Sequence, residues 1–388
     1  MRTTRSRRAD GVVLLGLVLA ASCASDTPSN PEPGVSQIQQ ELMTPGPARQ
    51  AVTFRHDDPE AQSVRLEFTG NYWNRDPDDT IELERVDDDV SSHALTLHLG
   101  EDQWLYRYRV DGRWTTDAGA PRVGAENGQE NSVVVVGAPI ERARPAPAVT
   151  AGTIDVIDID SDILGRSIPY VLYTPASSEP LDVLVLLHGF GQPATDWSEA
   201  VGIGNFMDNL IAEGLIEPFA IVMPSGENSL YNSNRSLHIV DEVLPDAERR
   251  LGLDPEGASD RSMAIGGFSQ GGAGALRIAA LRPDDFGLVM PIAMAGPCGG
   301  LCTESLYDQN YPDGFTATFA LWVGVDDELD LDIEHDRFIE FAAGSSIEFE
   351  DVRSDSTGHR QSGHSIRYVR TIAADVLIRA DQFFTTGR

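Results

Sequence analysis

The stretch Met263-Ala-Ile-Gly-Gly-Phe-Ser269-Gln-Gly-Gly-Ala-Gly-Ala-Leu-Arg-Ile-Ala-Ala280 joins an apolar strand, a Gly-x-Ser-x-Gly pentapeptide and a helix of small residues. Glycines at 267 and 271 permit a tight strand-to-helix turn, which presents Ser269 in a strained, exposed position above a sheet. The amides at the start of the helix, notably that of Gln270, point to where negative charge would develop on a reacting group. The stretch therefore predicts a nucleophilic serine with an oxyanion donor beside it.

A second apolar strand, Val183-Leu-Val-Leu-Leu187, runs into the loop His188-Gly-Phe-Gly191. Where a strand-turn-helix motif carries the nucleophile, such a loop supplies the other oxyanion donor, here the backbone amide of Phe190. The backbone of this loop performs the chemistry, so the His188 side chain is expected to be structural. Trp197 follows soon after and is expected either to line an acyl site or to pack in the core.

A serine hydroxyl needs an imidazole base that a carboxylate orients. Where a strand-turn-helix motif carries the nucleophile, the chain order is serine, acid, histidine. The candidate bases are therefore the three histidines that follow Ser269. His335 lies in a helical pattern, is expected on the helix surface, and is too close in sequence to the acid to reach the serine. His364, immediately before the final helix, is favoured over His359.

The acid is expected just after the apolar strand 319–325, in Gly324-Val-Asp-Asp-Glu-Leu329. Asp327 is favoured over Asp326, and Asp330 is a third candidate. A carboxylate at this strand end is well placed to orient an imidazole from a later loop.

The C-terminal part of the chain alternates apolar runs with longer amphipathic stretches. Runs this apolar suit strands buried on both faces, and their alternation with helices predicts a mostly parallel sheet of the α/β class. The runs are 181–187, 219–223, 262–267, 286–293 and 319–325.

Five segments resemble the esterase-D-like group, which includes feruloyl and acetyl-xylan esterases, enterochelin-type esterases and S-formylglutathione hydrolases. They are His188-Gly-Phe-Gly191, Asp241-Glu-Val-Leu-Pro-Asp246, Gly267-Phe-Ser-Gln-Gly-Gly272, Gly324-Val-Asp-Asp327 and Gly363-His-Ser365. The resemblance implies an α/β-hydrolase fold for residues 153–388. It also implies a serine esterase that needs no metal or organic cofactor.

Residues 48–136 contain short alternating runs separated by turn signals, a pattern typical of a small all-β, immunoglobulin-like sandwich. The runs are Val64-Arg-Leu-Glu-Phe68, Ala94-Leu-Thr-Leu-His-Leu99, Trp104-Leu-Tyr-Arg-Tyr-Arg-Val110 and Ser132-Val-Val-Val-Val136.

The segments Tyr106-Arg-Tyr-Arg-Val-Asp-Gly-Arg-Trp114 and Glu126-Asn-Gly-Gln-Glu-Asn131 resemble the glycogen-binding modules of the AMP-activated kinase β subunit. In sugar-binding members a tryptophan stacks on a pyranose, while a basic residue and an asparagine hold hydroxyls. The matching positions are Trp114, Arg107 and Asn131, and Trp73 stands slightly off the register of a further stacking position. The alternative is that these aromatics only fill or edge the sandwich.

The 388 residues carry 61 acidic side chains against 29 Lys plus Arg, which gives a formal net charge of −32. The sequence contains no lysine, so every one of these cations is an arginine. This balance argues against binding of a nucleic-acid backbone. It also excludes a lysine nucleophile, a Schiff base and a phosphate-loop lysine.

The start of the chain has four arginines, an apolar run from Gly11 to Ala21 and small residues before Cys23. This layout resembles a bacterial lipoprotein signal, in which residues 1–22 are removed and Cys23 is lipidated. The alternative is a plain secretory signal. Both interpretations predict export, and the first predicts a membrane-anchored protein in the periplasm or on the cell surface.

Two proline-rich stretches, 23–47 and 137–152, are expected to be a lipid-anchored tether and a Pro/Ala linker between domains. In an oxidising compartment, Cys298 and Cys302 are expected to close a small disulfide or to remain as two buried thiols.

The sequence thus predicts an exported serine esterase. The two resemblances imply that its substrates are feruloyl or acetyl esters of glycans, with an ester or polysaccharide as partner. A siderophore-type or other small-ester hydrolase is the alternative within the same fold. A glycan-binding surface lipoprotein without activity is the alternative from another class.

Overall fold

The structure is a computed structural model of the chain. It describes residues 45, 49–68, 81–86, 89–100, 102–123, 131–136, 140–145, 149–227, 229, 231–253, 263–296, 311, 315–324, 327, 331–354, 364 and 366–387. Several predictions fall outside these residues: the signal segment, Cys23, Trp73, the pair Cys298 and Cys302, Asp326, Asp330 and His359.

The N-terminal β-region (residues 49–136) is built from antiparallel strands. They are β1 Arg49–Asp57, β2 Val64–Phe68, β3 Ile81–Glu82, β4 Glu84–Val86, β5 Asp89–Gly100, β6 Asp102–Val110, β7 Arg113–Thr115, β8 Arg122–Val123 and β9 Asn131–Val136. One sheet has the order β1-β5-β4, and the other has the order β3-β2-β6-β9-β8 with β7 paired to β6.

The two sheets pack face to face around a shared apolar core. Leu95, Leu97 and Leu99 alternate along β5 and point into this core, as Tyr106 and Tyr108 do from β6. This period of two is the alternation seen in the sequence. The described residues therefore form a two-sheet β-region, while its immunoglobulin-like topology stays a prediction.

The C-terminal region contains a large mixed sheet. Its strands are β10 Thr153–Ser161, β11 Arg166–Thr174, β12 Val183–Leu187, β13 Ala220–Pro224, β14 Met263–Phe268, β15 Phe286–Ile292, β16 Thr318–Gly324 and β17 Phe349–Ser354. The sheet order is β10-β11-β13-β12-β14-β15-β16-β17, and all pairs from β13 onward are parallel. The sheet is therefore mostly parallel, as predicted, with an antiparallel edge that the sequence pattern did not reveal.

Helices cover both faces of this sheet. They are α1 Ile203–Ala212, α2 Ser233–His238, α3 Leu244–Arg250, α4 Gln270–Leu281, α5 Asp332–Ala343 and α6 Ile366–Thr386. Along β12, Val183 and Val185 enter one core with α4 and α5, whereas Leu184 and Leu186 enter the other with α1 and α6. Because both faces are buried, the strand is continuously apolar. None of the described helices is long and apolar enough to span a membrane.

Part of the proline-rich linker packs against the C-terminal region. Residues 140–145 include a 3-10 turn at Glu141–Ala143, whose carbonyls accept hydrogen bonds from the side chains of Asn205 and Asn209 on α1. Arg142 also pairs with Glu213. In addition, Val133 of the β-region packs against Ala200 and Ile366. These six residues of the predicted linker are therefore docked on the C-terminal region.

The carboxyl ends of β12, β14 and β16 lie at one edge of the sheet because these strands, with β15 between the last two, all run parallel. In open α/β sheets this edge is where ligands bind. His188 follows β12, Ser269 follows β14 and Asp327 follows β16. The topology thus gathers the predicted catalytic segments at one place.

Candidate active site

Ser269 occupies the sharp turn between β14 and α4. Its φ is 55° and its ψ is −113°, a conformation that is costly for a residue with a side chain. The Ser269 amide donates a hydrogen bond to the carbonyl of Ile292 (2.8 Å), which ties the turn to the neighbouring strand. A Cβ added to Gly271 would lie 2.2 Å from the Leu187 carbonyl oxygen, so this turn requires glycine there.

A hydrogen-bond chain connects three side chains from distant parts of the sequence. His364 Nε2 lies 2.9 Å from Ser269 Oγ, and His364 Nδ1 lies 3.0 Å from Asp327 Oδ2. Asp327 and His364 are both buried, with 6% and 9% of their surfaces exposed. The His364 ring also packs against Phe268 at a centroid distance of 4.7 Å. The imidazole is thus positioned by a carboxylate on one side and faces the hydroxyl on the other.

The two predicted oxyanion residues follow β12 and the serine. The close approach of Gly271 to the backbone of Leu187 and His188 brings the start of α4 against the loop that contains Phe190. The Gln270 amide is in the first turn of α4, where backbone N–H groups lack intrahelical acceptors. The Phe190 ring is 65% exposed, so its side chain borders solvent beside this loop.

His188 braces the oxyanion loop. Its Nδ1–H donates to the Gly189 carbonyl (2.9 Å), and its Nε2 accepts from the Gly226 amide (2.8 Å). Burial lowers the pKa of His188 to about 4, so the ring is neutral at pH 7 and can accept this bond. The Tyr231 hydroxyl donates to the His188 carbonyl (3.1 Å). The ring is therefore structural, as expected from the sequence.

The loop after β13 contacts the nucleophile turn and was not singled out from the sequence. The Gln270 side chain donates from Nε2 to the Glu227 carbonyl (3.2 Å), and Glu227 has a left-handed φ of 46°. The Glu227 carboxylate bonds to Arg166 and Arg235. Burial opposes ionisation of Glu227, but the hydrogen bonds and charges of the two arginines outweigh it and lower its pKa. No local motif marks this loop, because Gln270 and Arg166 lie 43 and 61 residues away from Glu227 in the sequence.

Trp197 lies in a buried turn (Trp197–Val201) rather than at an open surface. Only 2% of Trp197 is exposed, and it packs in the core with α1 and α6. The burial favours the packing alternative over a contact with an acyl group. The sequence left both alternatives open, because it does not tell an aromatic residue packed beneath a loop from one exposed above it.

Asp196 is a buried acid just before that turn. Burial, with a smaller contribution from the negative charge of Glu199, raises the pKa of Asp196 from 3.8 to about 7. Between these two pH values the folded state holds a proton that the unfolded state releases. The free energy of unfolding therefore decreases as the pH rises through this window.

We expect Asp196→Asn to stabilise the protein at pH 8, where the wild type must bury a carboxylate. The expected gain in unfolding free energy is about 4 kcal/mol. The difference should shrink towards zero at pH 4, where both side chains are neutral. Urea unfolding at pH 4, 6 and 8 measures it, with the exposed Asp155→Asn as control. A gain of equal size at all three pH values would contradict the burial argument.

Two further histidines pair with carboxylates outside this site. The prediction of a surface position for His335 was wrong: the residue is on α5 as expected, but it is fully buried, and Nε2 lies 2.7 Å from Asp351 on β17. His238 Nδ1 lies 2.6 Å from Glu242. Among the residues that the structure describes, no group of three or more His, Cys, Asp or Glu side chains could hold a metal ion.

The three predicted sugar-binding residues lie in one sheet of the β-region. The Arg107 guanidinium is 4.2 Å from the Trp114 ring centroid, and Arg107 Nε bonds to the buried carboxylate of Glu67 (2.7 Å). Asn131 begins β9, the strand that pairs with β6. The guanidinium covers a face of the indole, so a sugar would have to use the remaining surface of Trp114.

The chain matches known esterases in sequence. The Esterase family model matches residues 161–328. An endo-1,4-beta-xylanase/feruloyl esterase of Xylanibacter ruminicola is 29% identical over 156 residues, which are 36% of this chain and 21% of that protein. The chain therefore spans about a fifth of the length of that relative. Both matches support a carboxylic ester hydrolase.

Solved structures show the same fold. The enterobactin esterase of Shigella flexneri has a TM-score of 0.63 and 16% identity, covering 88% of this chain and 96% of its own. A ferulic acid esterase has a TM-score of 0.51 and 20% identity, covering 60% of this chain and 99% of its own. The ferulic acid esterase of Anaeromyces mucronatus also has a TM-score of 0.51, with 17% identity, covering 65% and 97%. These likenesses show that the fold is that of an α/β-hydrolase.

Proposed function

We propose that the protein is a serine carboxylic ester hydrolase in which Ser269 is the nucleophile and His364 the general base. Asp327 is the carboxylate that orients His364. The observation that carries the proposal is the hydrogen-bond chain from Asp327 through His364 to Ser269. A buried carboxylate fixes the tautomer of the imidazole and stabilises the imidazolium that forms when the base accepts a proton.

In the first half of the reaction, Ser269 Oγ attacks the ester carbonyl carbon and its proton passes to His364 Nε2. The carbonyl oxygen becomes an oxyanion that accepts hydrogen bonds from the amides of Gln270 and Phe190. The alcohol then leaves with the proton from His364, and the acyl group stays on Ser269.

In the second half, water gives a proton to His364 and attacks the acyl carbon. The second tetrahedral intermediate uses the same two amides. When the bond to Oγ breaks, the proton returns to Ser269 and the carboxylic acid is released. Each half-reaction therefore needs one proton carrier and one oxyanion site, and no metal or organic cofactor takes part.

The substrate that we propose is a feruloyl or acetyl ester of a glycan. The sequence relative is named as a xylanase and feruloyl esterase, which supports this class. The β-region would hold the polysaccharide through Trp114, Arg107 and Asn131. Aromatic rings bind sugars by packing on C–H groups while polar side chains bond to hydroxyls.

A second candidate substrate is a siderophore-type ester. The fold likeness to the enterobactin esterase extends over 88% of this chain, so it includes the β-region as well as the large sheet. In that case the β-region would have no need to bind a polysaccharide. The two candidates differ in the acyl group and in the alcohol, and they share the catalytic step.

We further propose that the protein is exported and anchored to a membrane through a lipid on Cys23. The arginine-rich start, the apolar run and the small residues before Cys23 support this proposal. A lipid anchor would keep the enzyme at the cell envelope, where polymeric esters are accessible. Mass spectrometry of the membrane-extracted protein tests it, because an unmodified Cys23 would contradict lipidation.

The proposed function is tested with p-nitrophenyl acetate, methyl ferulate, acetylated xylan and a catecholate triester. We expect the wild-type chain to hydrolyse the first two. Trp114→Ala should leave these rates within about twofold and lower the rate on acetylated xylan, because ring stacking contributes about 1 kcal/mol or more. Equal rates of wild type and Trp114→Ala on the polymer would exclude the binding role of the β-region. Hydrolysis of the triester alone would favour the second candidate.

A further inference from the structure

The geometry points to Glu227 as a positioning residue for the oxyanion site, acting through the Gln270 side chain. This inference rests on the proposed esterase function and adds a residue to it. Glu227 lies 42 positions before Ser269, and its carboxylate faces two arginines rather than the serine. It therefore acts on the backbone around the reacting groups and not on the substrate.

The first step of the argument is the anchoring of Gln270. This residue follows the nucleophile, supplies a proposed oxyanion amide, and is 1% exposed. Its side-chain Nε2 donates to the Glu227 carbonyl (3.2 Å), while its buried Oε1 has no hydrogen-bond partner among the described residues. Among the residues that the structure describes, the Glu227 carbonyl is thus the hydrogen-bond partner that holds this side chain. A displaced carbonyl would release the residue whose amide must point at the oxyanion.

The second step is that the same loop also braces the other proposed donor. The amide of Gly226, next to Glu227, donates to His188 Nε2, and His188 in turn bonds to the Gly189 carbonyl. Phe190 follows directly. The backbone of residues 226 and 227 therefore connects the nucleophile turn on one side with the oxyanion loop on the other. One loop conformation fixes the distance between the two amides.

The third step explains why this position carries an acidic side chain. Glu227 has φ of 46°, a region where glycine is the usual residue and where other residues pay a conformational cost. Arg235, which is nearly buried, and Arg166 both bond to the Glu227 carboxylate. These charge-assisted bonds offset the backbone cost and hold the carbonyl towards Gln270. An alanine here would keep the conformational cost of the left-handed backbone and lose the hydrogen bonds to the two arginines.

The test compares Glu227→Ala and Glu227→Gly in the full chain. We expect Glu227→Ala to lower kcat on p-nitrophenyl acetate by about 30-fold with a change in KM below about threefold, because oxyanion bonds act in the transition state. The inhibition constant of a boronic acid, which forms a tetrahedral adduct with the serine, should rise by a similar factor. Glu227→Gly should recover most of kcat, because glycine adopts the left-handed backbone without the help of the two arginines.

The control is Glu350→Ala, which removes the carboxylate partner of the nearly buried Arg379 on α6. It should lower thermal stability and leave kcat and boronic acid affinity unchanged. If Glu227→Ala does not fold, Glu227→Gln keeps the side-chain volume and should lose kcat in the same direction. An unchanged kcat in Glu227→Ala, or a Glu227→Gly variant as slow as the alanine variant, would overturn the inference. A wild type without esterase activity would instead refute the proposed function.

A double variant separates a shared route from two independent effects. Gln270→Ala removes the other end of the hydrogen bond and keeps the backbone amide. Because both residues act through one contact, Glu227→Ala combined with Gln270→Ala should be no slower than the slower single variant within about twofold. Losses that multiply would mean that Glu227 does not act through Gln270.

Discussion

Ser269→Ala should lower kcat on p-nitrophenyl acetate by about 10⁴- to 10⁶-fold while the chain stays folded. The expected loss is large because the hydroxyl is the group that forms the covalent bond, and His364 then has no nucleophile to activate. The alanine side chain fits the same space, and it keeps the backbone of the turn, which is held by the bond from the residue 269 amide to the Ile292 carbonyl.

The measurement is steady-state hydrolysis with the protein concentration corrected for folded fraction. Ser198→Ala is the matched control: Ser198 lies beyond the oxyanion loop and donates to the Thr195 carbonyl, so its loss should change kcat less than about twofold. A fluorophosphonate probe gives a second readout, since it should label the wild type and Ser198→Ala but not Ser269→Ala. A Ser269→Ala protein within tenfold of wild type would refute the covalent mechanism.

The nucleophile turn could be predicted from sequence because its requirements are local. Glycine at 267 and 271 is needed where a Cβ would meet backbone atoms at 2.2–2.5 Å, and this need is visible in the pentapeptide itself. The apolar strands β12 to β16 were predicted to within a few residues for a similar reason. A strand buried on both faces must be apolar throughout.

The partners of Ser269 were predicted from chain order. In the structure Asp327 lies within hydrogen-bond distance of His364, and His364 lies within hydrogen-bond distance of Ser269. Their catalytic roles stay predictions until variants are measured. Order along the chain is informative here because parallel strands place their carboxyl ends at one edge of the sheet.

Features that depend on distant contacts could not be predicted. His335 was expected on a surface, yet α5 turns it towards Asp351 on β17. The linker is docked by hydrogen bonds from Asn205 and Asn209. The composition of the linker gives no sign of these bonds, because their donors lie elsewhere in the sequence. The positioning role that we propose for Glu227 could not be predicted either, because it depends on a left-handed backbone and on bonds to two arginines that form only in the fold.

The antiparallel edge of the large sheet was missed for a different reason. Strand β10 alternates isoleucine and valine with aspartate, and Val156 is 60% exposed. Its pattern is that of an edge strand, which is less apolar than the central strands on which the prediction relied. Charged side chains on such an edge also discourage pairing with another chain.

Asp327→Asn should lower kcat by about 10⁴-fold and change KM little. An amide at this position no longer stabilises the imidazolium, and its N–H₂ group favours the tautomer of His364 that carries its proton on Nε2. That tautomer cannot accept the proton of Ser269. The substitution preserves shape, so the site should remain assembled while the base is disabled.

The neighbouring carboxylate makes the test decisive, since the sequence alone left Asp326 open as the acid. Asp326→Asn removes the same charge one residue away and should keep kcat within about threefold of wild type, because His364 Nδ1–H donates its hydrogen bond to Asp327. The double variant should be no slower than Asp327→Asn. If Asp326→Asn were the inactive variant, the carboxylate that orients His364 would have to be Asp326 rather than Asp327, while the role of Ser269 would stand.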